Sequence, residues 1–303
     1  MDVTGLPEGY ASRPHVRADA AAVCALVAEA EAHDDGVAEI DLSDIEADWR
    51  RPGFDLQTMS LGVFRGGELA ASADVFAGRA EVSVKPGDRG RGIGTAIMRW
   101  TWDVARADGR DRVGQTVTDA DLSAVGLFRS NGYEPTHTSW ILQIEVPDAP
   151  PRPVLPEGLA FRPFVPGTDD RALYELIDTA FSEWPMRESE GFDNWRAQTL
   201  DRAEVRPELQ VLIGDREGRI IAAAVNFDYP NGDEGWTQNL AVDAGYRRRG
   251  LGKALLIESF RRFHAAGQRT CGVSTDSRTG ALGLYEAVGM HVRRSYTRWT
   301  KSL

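Results

Sequence analysis

Three segments of the chain occur twice in the same order, and this repetition constrains the fold more than any other feature. The paired segments are LPEGYASRP (6–14) with LPEGLAFRP (155–163), RGRGIGTAI (89–97) with RRRGLGKAL (247–255), and AVGLFRSNGY (124–133) with ALGLYEAVGM (281–290). Each copy lies about 150 to 160 residues after its counterpart, whereas solenoid repeats have periods of about 20 to 50 residues. The sequence therefore predicts two copies of one domain.

The junction between the two copies is expected at VPDAPPRPVLPEG (146–158). Five prolines in this stretch predict a stiff linker without regular hydrogen bonding. A chain of 303 residues is long enough for two separate cores. We therefore expect an N-terminal domain over 1–148 and a C-terminal domain over 155–303.

The order of helices and strands can be predicted for the second half of the chain. Apolar residues at helical spacing predict a helix over 171–181, and two apolar runs around the turn REG predict a hairpin. A strand over 235–242 then leads into a glycine-rich loop that opens a second helix, followed by a strand, a short helix and a closing strand. This order predicts a mixed α and β domain, not a helix bundle or a β-sandwich.

The overall charge and the cysteine usage exclude several classes of protein. The chain has 46 acidic and 35 basic residues, a net charge of −11, which argues against non-specific nucleic-acid binding. The N-terminus lacks the pattern of a signal peptide, and no apolar run is long enough to span a bilayer. Cys24 and Cys271 are isolated, and the five histidines show no metal-ligand spacing. We expect a cytoplasmic protein with no metal and with neither nucleic-acid nor membrane partners.

The stretch YRRRGLGKALL (246–256) concentrates positive charge in an acidic chain. A loop between a strand and a helix exposes unpaired backbone N–H groups, and the helix dipole favours an anion there. Gly250 and Gly252 are expected to let a phosphate approach the backbone. The spacing fits neither a Walker loop nor a dinucleotide fingerprint, because Ala254 and Leu255 stand at required positions. A solvated basic turn is the alternative.

These residues resemble the acyl-CoA loop of the GNAT N-acetyltransferase superfamily, whose motif runs Gln/Arg-x-x-Gly-x-Gly/Ala. Arg247-x-x-Gly250-x-Gly252 and Arg89-x-x-Gly92-x-Gly94 both match it, and GALGLYEAVGM (280–290) resembles the helix that follows in that family. The resemblance covers nearly the whole chain. It implies an α+β fold of two tandem GNAT domains, each with a mixed, mostly antiparallel sheet flanked by helices.

The resemblance also implies that acetyl-CoA is the cosubstrate and that both halves carry coenzyme-binding residues. In the C-terminal half these residues are Leu240, Ala241, Val242, Arg247, Arg248, Arg249, Gly250, Leu251, Gly252 and Lys253. In the N-terminal half they are Val82, Val84, Arg89, Gly90, Arg91, Gly92 and Gly94. Backbone amides around 240–242 are implied to receive the thioester oxygen, as an oxyanion hole does.

The same resemblance makes Tyr285 the general acid that protonates the leaving thiolate. The alternative is that Tyr285 is a packed aromatic of an amphipathic helix. Phe128 stands at this place in the first copy, so we predict that the N-terminal half is catalytically silent and that the C-terminal half is active. The family's usual base position holds Trp236, and Glu234 is the expected base instead, with Asp233 and Asp228 as alternatives.

The acceptor is a small-molecule amine by expectation. Trp184, Trp195 and Trp236 are candidates for the acceptor cleft, although they are equally well explained as core residues. Two GNAT domains in one chain resemble the mycothiol synthase group, but Trp236 replaces the acceptor-binding carboxylate of that group, which argues for a different amine. Alternative functions are a non-catalytic acyl-CoA-binding or regulatory protein and a protein-lysine acetyltransferase. Two domains in one chain weakly favour a monomer.

Overall fold

The computed structural model describes residues 3–182, 191–229 and 234–303, and it divides into two compact units. The first unit consists of Met1–Thr138 together with Arg294–Leu303, and the second consists of Ser139–Arg293. The expected limits at 148 and 155 differ from this division for two segments, 139–148 and 294–303. The physical reason is hydrogen bonding, because each of these segments is paired within the sheet of the unit to which it belongs.

The first unit is a six-stranded sheet with helices. Its strands are β1 (Tyr10–Arg13), β2 (Ser60–Arg65), β3 (Glu68–Phe76), β4 (Arg79–Val84), β5 (Arg112–Thr118) and most of β12 (His291–Ser302), in that spatial order. Its helices are α1 (Ala20–Asp35), α2 (Leu42–Asp48), α3 (Leu56–Met59), α4 (Ile93–Ala107) and α5 (Leu122–Ser130). Neighbouring strands are antiparallel except for β4 and β5, which are parallel.

The second unit repeats this arrangement. Its strands run in the order β7 (Ala160–Arg162), β8 (Val211–Gly214), β9 (Ile220–Tyr229), β10 (Glu234–Val242), β11 (Thr270–Asp276) and the greater part of β6 (Glu134–Glu145). Its helices are α6 (Asp170–Phe181), α7 (Phe192–Thr199), α8 (Leu251–Ala266) and α9 (Leu282–Glu286). Only β10 and β11 are parallel. The predicted fold class, a mostly antiparallel mixed sheet with flanking helices, is confirmed.

Helices cover both faces of the second sheet, which explains why β9 is apolar along nearly its whole length. Leu173 and Ile177 of α6 pack on one face, and Phe260 and Phe263 of α8 pack on the other. A side chain at Gly235 would place its Cβ 2.3 Å from the Phe263 ring, so a glycine is needed for α8 to approach β10. Among the residues that the structure describes, no helix combines the length and the apolarity needed to cross a bilayer.

A buried carboxyl group lies in the first unit between β3 and the helices that cover it. Trp49 Nε1 donates a hydrogen bond of 2.9 Å to one oxygen of Asp74, and the other oxygen is buried without a hydrogen-bond partner. Burial raises the pKa of Asp74 to about 7, although the Trp49 hydrogen bond opposes this shift. The folded protein therefore holds this carboxyl group in its neutral form at mildly acidic pH.

We predict that Asp74 makes the first unit less stable as the pH rises. Its pKa in the folded chain lies above that of the unfolded chain, so its contribution is complete below about pH 4 and is lost as the pH rises through about 7. The loss is on the order of 4 kcal/mol at most. Urea unfolding from pH 5 to pH 8 should show a decline in stability that Asp74→Asn removes. The exposed Asp103 gives the control, since Asp103→Asn should keep the decline.

Candidate active site

The parallel strands of the second unit separate halfway along their length. β10 and β11 are paired from Glu234↔Thr270 to Thr237↔Val273, and no pairing follows, although both strands continue. Beyond this point β10 remains paired with β9 alone. Every second backbone group of β10 therefore points into an opening between the two strands without a strand partner there.

A β-bulge marks the point of separation. The register of β10 against β9 shifts between Thr237 and Asn239, which leaves Gln238 as the extra residue. In the first unit the register of β3 against β4 is constant from Ala71↔Val84 to Phe76↔Arg79. β4 and β5 share a single pair, Arg79↔Gly114, so the first unit has the opening but lacks the bulge.

The glycine-rich loop brings an uncapped helix end to each opening. α8 begins after Gly250 and α4 after Gly92, and neither N-terminus has a side-chain cap. The first N–H groups of both helices are therefore available to an anion. In both loops the motif arginine bonds back to the preceding strand, since Arg247 Nε and Arg89 Nε each donate a hydrogen bond of 3.2 Å to the carbonyl of Val242 and Val84, respectively.

The two glycines of this motif have different surroundings, and the approach of a phosphate to them stays a prediction. A Cβ at Gly250 would meet nothing within 4 Å, but its φ of +80° is in the left-handed region, which favours glycine. A Cβ at Gly252 would lie 3.0 Å from Leu284 of α9, and one at Gly94 would lie 3.1 Å from Leu127 of α5. The first glycine thus serves the turn, and the second serves close packing of the two helices.

The two loops differ in how their positive charges are used. In the first unit Arg89 makes a bidentate ion pair with Asp34, at 2.6 and 2.7 Å, and it lies 3.6 Å from Asp121. In the second unit Arg248, Arg249 and Lys253 make no ion pair with any residue that the structure describes. Arg249 is held over the Tyr246 ring at 5.1 Å. The second loop therefore presents more uncompensated charge to an anion.

Tyr285 is buried in the core that α8 and α9 form over β11, where Cys271 and Val273 also lie. Burial raises the pKa of its phenol to about 12. Within the described part of the chain its hydroxyl has no hydrogen-bond partner. At neutral pH the phenol therefore carries its proton and can act as a donor but not as a base.

Glu234 begins β10 and lies four positions before the bulge. Gln143 of β6 donates a hydrogen bond of 3.1 Å to its Oε1, and no hydrogen bond joins it to Tyr285. Asp228, the alternative base, is buried. It accepts a hydrogen bond of 2.8 Å from Arg206 and another from Gln268, and these bonds give it a structural role. Asp233 lies outside the described residues.

The candidate acceptor tryptophans have different environments. Trp195 is buried among Leu173, Ile177 and Phe227, as its alternative interpretation as a core residue expects. Trp236 is half-buried against the same cluster, and a Cβ at Gly272 would lie 2.5 Å from its ring. Trp184 lies outside the described residues.

The first unit contains a cavity of about 600 Å³ where β4 and β5 separate. Val82, Val84, Arg89, Gly90, Gly92 and Gly94 line it, so six of the residues expected to bind coenzyme in this half lie together. Arg91 is 3.9 Å from Asp88, which also lines the cavity. Phe128 forms part of the wall, as does Tyr133, whose ring centroid is 4.8 Å from that of Phe128.

The sequence did not reveal every residue at these two openings. Gln238 could not be identified from the sequence, because a bulge depends on the register between two strands and a local sequence pattern does not determine that register. Arg294 and Tyr296 line the first-unit cavity from β12, although they follow the second repeat in the chain. Asp34, which pairs with Arg89 from the last turn of α1, could not be identified from the sequence either, because this pair joins residues far apart in the chain.

The fold and these openings define the class of the protein. The pattern of the Acetyltransferase (GNAT) family matches residues 26–133 and 171–290, which is more than half of the chain. The chain therefore belongs to the GNAT acetyltransferase family, whose fold binds acyl-CoA, and it is an acyltransferase. The prediction of two tandem GNAT domains is confirmed.

Several known proteins are similar along nearly their whole length. The mycothiol acetyltransferase of Thermobispora bispora is 29% identical over 298 residues, which cover 93% of this chain and 94% of that protein. A GCN5-related N-acetyltransferase from Sphaerobacter thermophilus is 32% identical with a TM-score of 0.76, covering 98% of this chain and 97% of that one. A tandem GNAT protein from the clavulanic acid biosynthesis pathway shares the fold at 16% identity, a TM-score of 0.68 and coverage of 97% and 98%.

We predict that the left-handed backbone conformation of Arg248 slightly lowers the stability of the fold, and that the charge of Arg248 strengthens coenzyme binding. Its φ of +60° is left-handed, and Gly90 holds the same place in the first loop with a φ of +73°. Arg248→Gly should be about 1 kcal/mol more stable than Arg248→Ala in urea unfolding, because only the glycine relieves the strain. Both variants should bind acetyl-CoA about tenfold more weakly by calorimetry. Unchanged affinity in both would show that Arg248 does not contact the coenzyme.

Proposed function

We propose that the protein transfers an acetyl group from acetyl-CoA to the primary amine of a small molecule, directly and within a ternary complex, and that the second unit carries out the reaction. The proposal rests on one observation. In the second unit, the bulge at Gln238 lies at the point where β10 and β11 separate. The mycothiol acetyltransferase names of the relatives support a small-molecule acceptor. The two units share a fold, so catalysis in one of them rests on these local differences.

Residues 240–242 are proposed to stabilise the reacting carbonyl. β10 carries backbone N–H groups on the side that β11 has left, and such groups can donate to an oxyanion as negative charge develops. The bulge supports this role because an extra residue turns the following backbone relative to the strand before it. Loss of one such donor typically raises a reaction barrier by about 2.7–4 kcal/mol.

The loop is proposed to hold the pyrophosphate of the coenzyme through the N-terminus of α8 and through Arg248, Arg249 and Lys253. Arg247, Gly250, Leu251 and Gly252 shape the turn between the strand and the helix. The corresponding residues of the first unit are proposed to form a weaker coenzyme site, because the charge of Arg89 is already met by Asp34. The first unit is also proposed to be silent, since Phe128 cannot give a proton.

Proton transfer is assigned to two side chains. Tyr285 is proposed to protonate the thiolate as the C–S bond breaks, which its raised pKa permits because the phenol is protonated at neutral pH. Glu234 is proposed as the base that accepts the amine proton, through a water molecule, since it lies before the bulge on the same strand. The hydrogen bond from Gln143 would hold its carboxylate in place.

We predict that Tyr285→Phe lowers turnover by about 10²- to 10⁴-fold, because the leaving thiolate loses its proton donor. The measurement is thiol release from acetyl-CoA across a panel of small amines, with acetyl-CoA affinity followed by calorimetry. Affinity should be nearly unchanged, since the ring remains in the core.

Tyr133→Phe is the matched control, because Tyr133 is a buried tyrosine at the corresponding end of the first unit. Its hydroxyl accepts a hydrogen bond from Trp102, not from any residue of the second unit. If Tyr133→Phe abolished turnover while Tyr285→Phe did not, catalysis would belong to the first unit. Coenzyme binding without thiol release from acetyl-CoA, whatever small amine or protein lysine is offered as acceptor, would favour a binding protein.

We predict that the tighter coenzyme site depends on the second loop. Arg249→Gln and Lys253→Gln should each weaken the tighter acetyl-CoA binding about tenfold, because each removes a positive charge that makes no ion pair in the described part of the chain. Arg91→Gln in the first loop is the matched substitution and should leave this binding unchanged. The opposite ranking in calorimetry would assign the tighter site to the first unit.

A further inference from the structure

A buried polar network lies beside the bulge of β10 in the second unit. Asn226 of β9 is at its centre and is completely buried. Its side-chain amide donates hydrogen bonds of 2.8 Å to the carbonyl of Leu209 and of 2.9 Å to the hydroxyl of Ser259. Its Oδ1 accepts a hydrogen bond of 3.0 Å from the hydroxyl of Thr237. The network therefore joins β9 to β10, to α8 and to the segment before β8.

A second buried side chain fixes the backbone of Asn226. Gln210 Oε1 accepts a hydrogen bond of 2.9 Å from the N–H of Asn226, and Gln210 Nε2 donates one of 2.8 Å to its carbonyl. Buried polar groups are costly unless they are hydrogen-bonded, and a well-bonded network favours one arrangement of the backbone around it. The arrangement in question here includes the bulge.

The bond between Asn226 and Thr237 lies at the last regular pair before the bulge. These two residues are opposite each other in the register between β9 and β10. Asn239, the next paired residue of β10, is opposite Val225, and Gln238 is the extra residue between the two pairs. Thr237 is also the last residue of β10 that pairs with β11. The side-chain bond thus joins the two strands where the regular pairing ends.

The bulge reverses the alternation of side chains along β10. Before the bulge Thr237 faces α8, whereas Trp236 packs with the core beneath α6. After the bulge Leu240 packs with the first turns of α8, and Ala241 packs with the core beneath α6. A strand without the extra residue would place Leu240 on the α6 side. The bulge therefore decides the direction of each later backbone group of β10.

The first unit provides a comparison, because it has the corresponding strands without the bulge. In both units one residue of the fourth strand pairs with an aromatic residue on one side and with a glycine on the other. These residues are Phe76, Arg79 and Gly114 in the first unit, and Phe227, Trp236 and Gly272 in the second. The next pair is Val75↔Ala80 in the first unit and Asn226↔Thr237 in the second. The polar pair thus occurs with the bulge and the apolar pair with the regular strand.

We propose that Asn226 and Thr237 are positioning residues, which hold the bulge of β10 and thereby direct the backbone N–H groups of residues 240–242 towards the reacting carbonyl. The chemical consequence rests on the proposed function, whereas the hold on the bulge is a separate property of the strand. Both side chains are buried, so they act through the backbone and not by contact with the substrate.

Two variants remove the polar pair to different extents. Thr237→Val keeps the shape of the side chain but removes its hydroxyl, and Asn226→Val/Thr237→Ala gives the second unit the apolar pair of the first. Thr237→Ser keeps the hydroxyl and is the conservative variant. Thr101→Val is the matched control, because it removes a buried threonine hydroxyl of the first unit that donates to the Met98 carbonyl at 2.7 Å.

We expect Thr237→Val to lower kcat for thiol release about tenfold and the double variant to lower it about 10²-fold, because the N–H donors are displaced. Acetyl-CoA affinity by calorimetry should fall by about threefold at most, since the loop and the N-terminus of α8 are proposed to hold the pyrophosphate. Thr237→Ser and Thr101→Val should keep kcat within about twofold. A merely structural role would lower stability in urea without this difference between kcat and affinity.

The register of β10 gives a second readout, which does not involve turnover. In a crystal structure of the double variant we expect Gln238, and not Asn239, opposite Val225, as in a regular strand. A double variant that keeps the bulge would overturn the proposal. Equal kcat values for Thr237→Val and Thr237→Ser would also overturn it, and this comparison decides the matter if the double variant does not fold.

The two readouts separate this inference from the proposed function. If the unchanged protein released no thiol with any acceptor, the proposed reaction would fail, and the register of the double variant would still show whether the pair holds the bulge. If thiol release depended on Tyr285 but not on the hydroxyl of Thr237, the proposed function would stand and the positioning role would fall.

Discussion

The separation of β10 from β11 is the constraint on which the rest of the second unit depends. Parallel strands satisfy each other's backbone groups only while they remain neighbours, and here the pairing stops at Thr237↔Val273. The groups beyond that point need partners from elsewhere, and a ligand that runs along the strand can supply them. The uncapped N-terminus of α8 lies at the end of the same strand. On the proposed function, this one break in a hydrogen-bond ladder creates both the space for a coenzyme arm and the unpaired backbone groups that bind it.

Duplication has given two units with the same strand order and different local chemistry. In the first unit Asp34 is paired with Arg89 of the loop, the strand has no bulge, and Phe128 stands where the second unit has Tyr285. In the proposed mechanism, each of these differences affects a separate requirement of acyl transfer, namely anion binding, carbonyl orientation and proton donation. Their occurrence in one unit is more easily understood as a change of role than as loss of stability, because that unit keeps a well-packed core.

The repeats, the mixed fold and the two glycine loops could be predicted from the sequence, because each rests on local spacing. The loop residues around Gly250 lie between a strand and a helix, as the motif predicts, and the close packing of Gly252 against Leu284 of α9 could not be predicted from the motif. Features that depend on distant pairing could not be predicted. The bulge at Gln238 depends on strand register, and the approach of Arg294 to the first-unit cavity depends on which sheet its strand joins. The position of Trp195 could not be predicted from residue type, because an aromatic residue is equally suited to a core and to a binding cleft.

The return of Arg294–Leu303 to the first unit affects the order in which that unit can be completed during synthesis. β5 is complete once residue 118 has been synthesised, but its neighbour at 296–302 follows only after the second unit. The edge of β5 therefore stays without this partner while the whole second unit is translated, and unpaired edges favour association with other chains. The contact also has a long separation in sequence, which slows folding. A chain that stopped before residue 294 would lack one strand of the first unit.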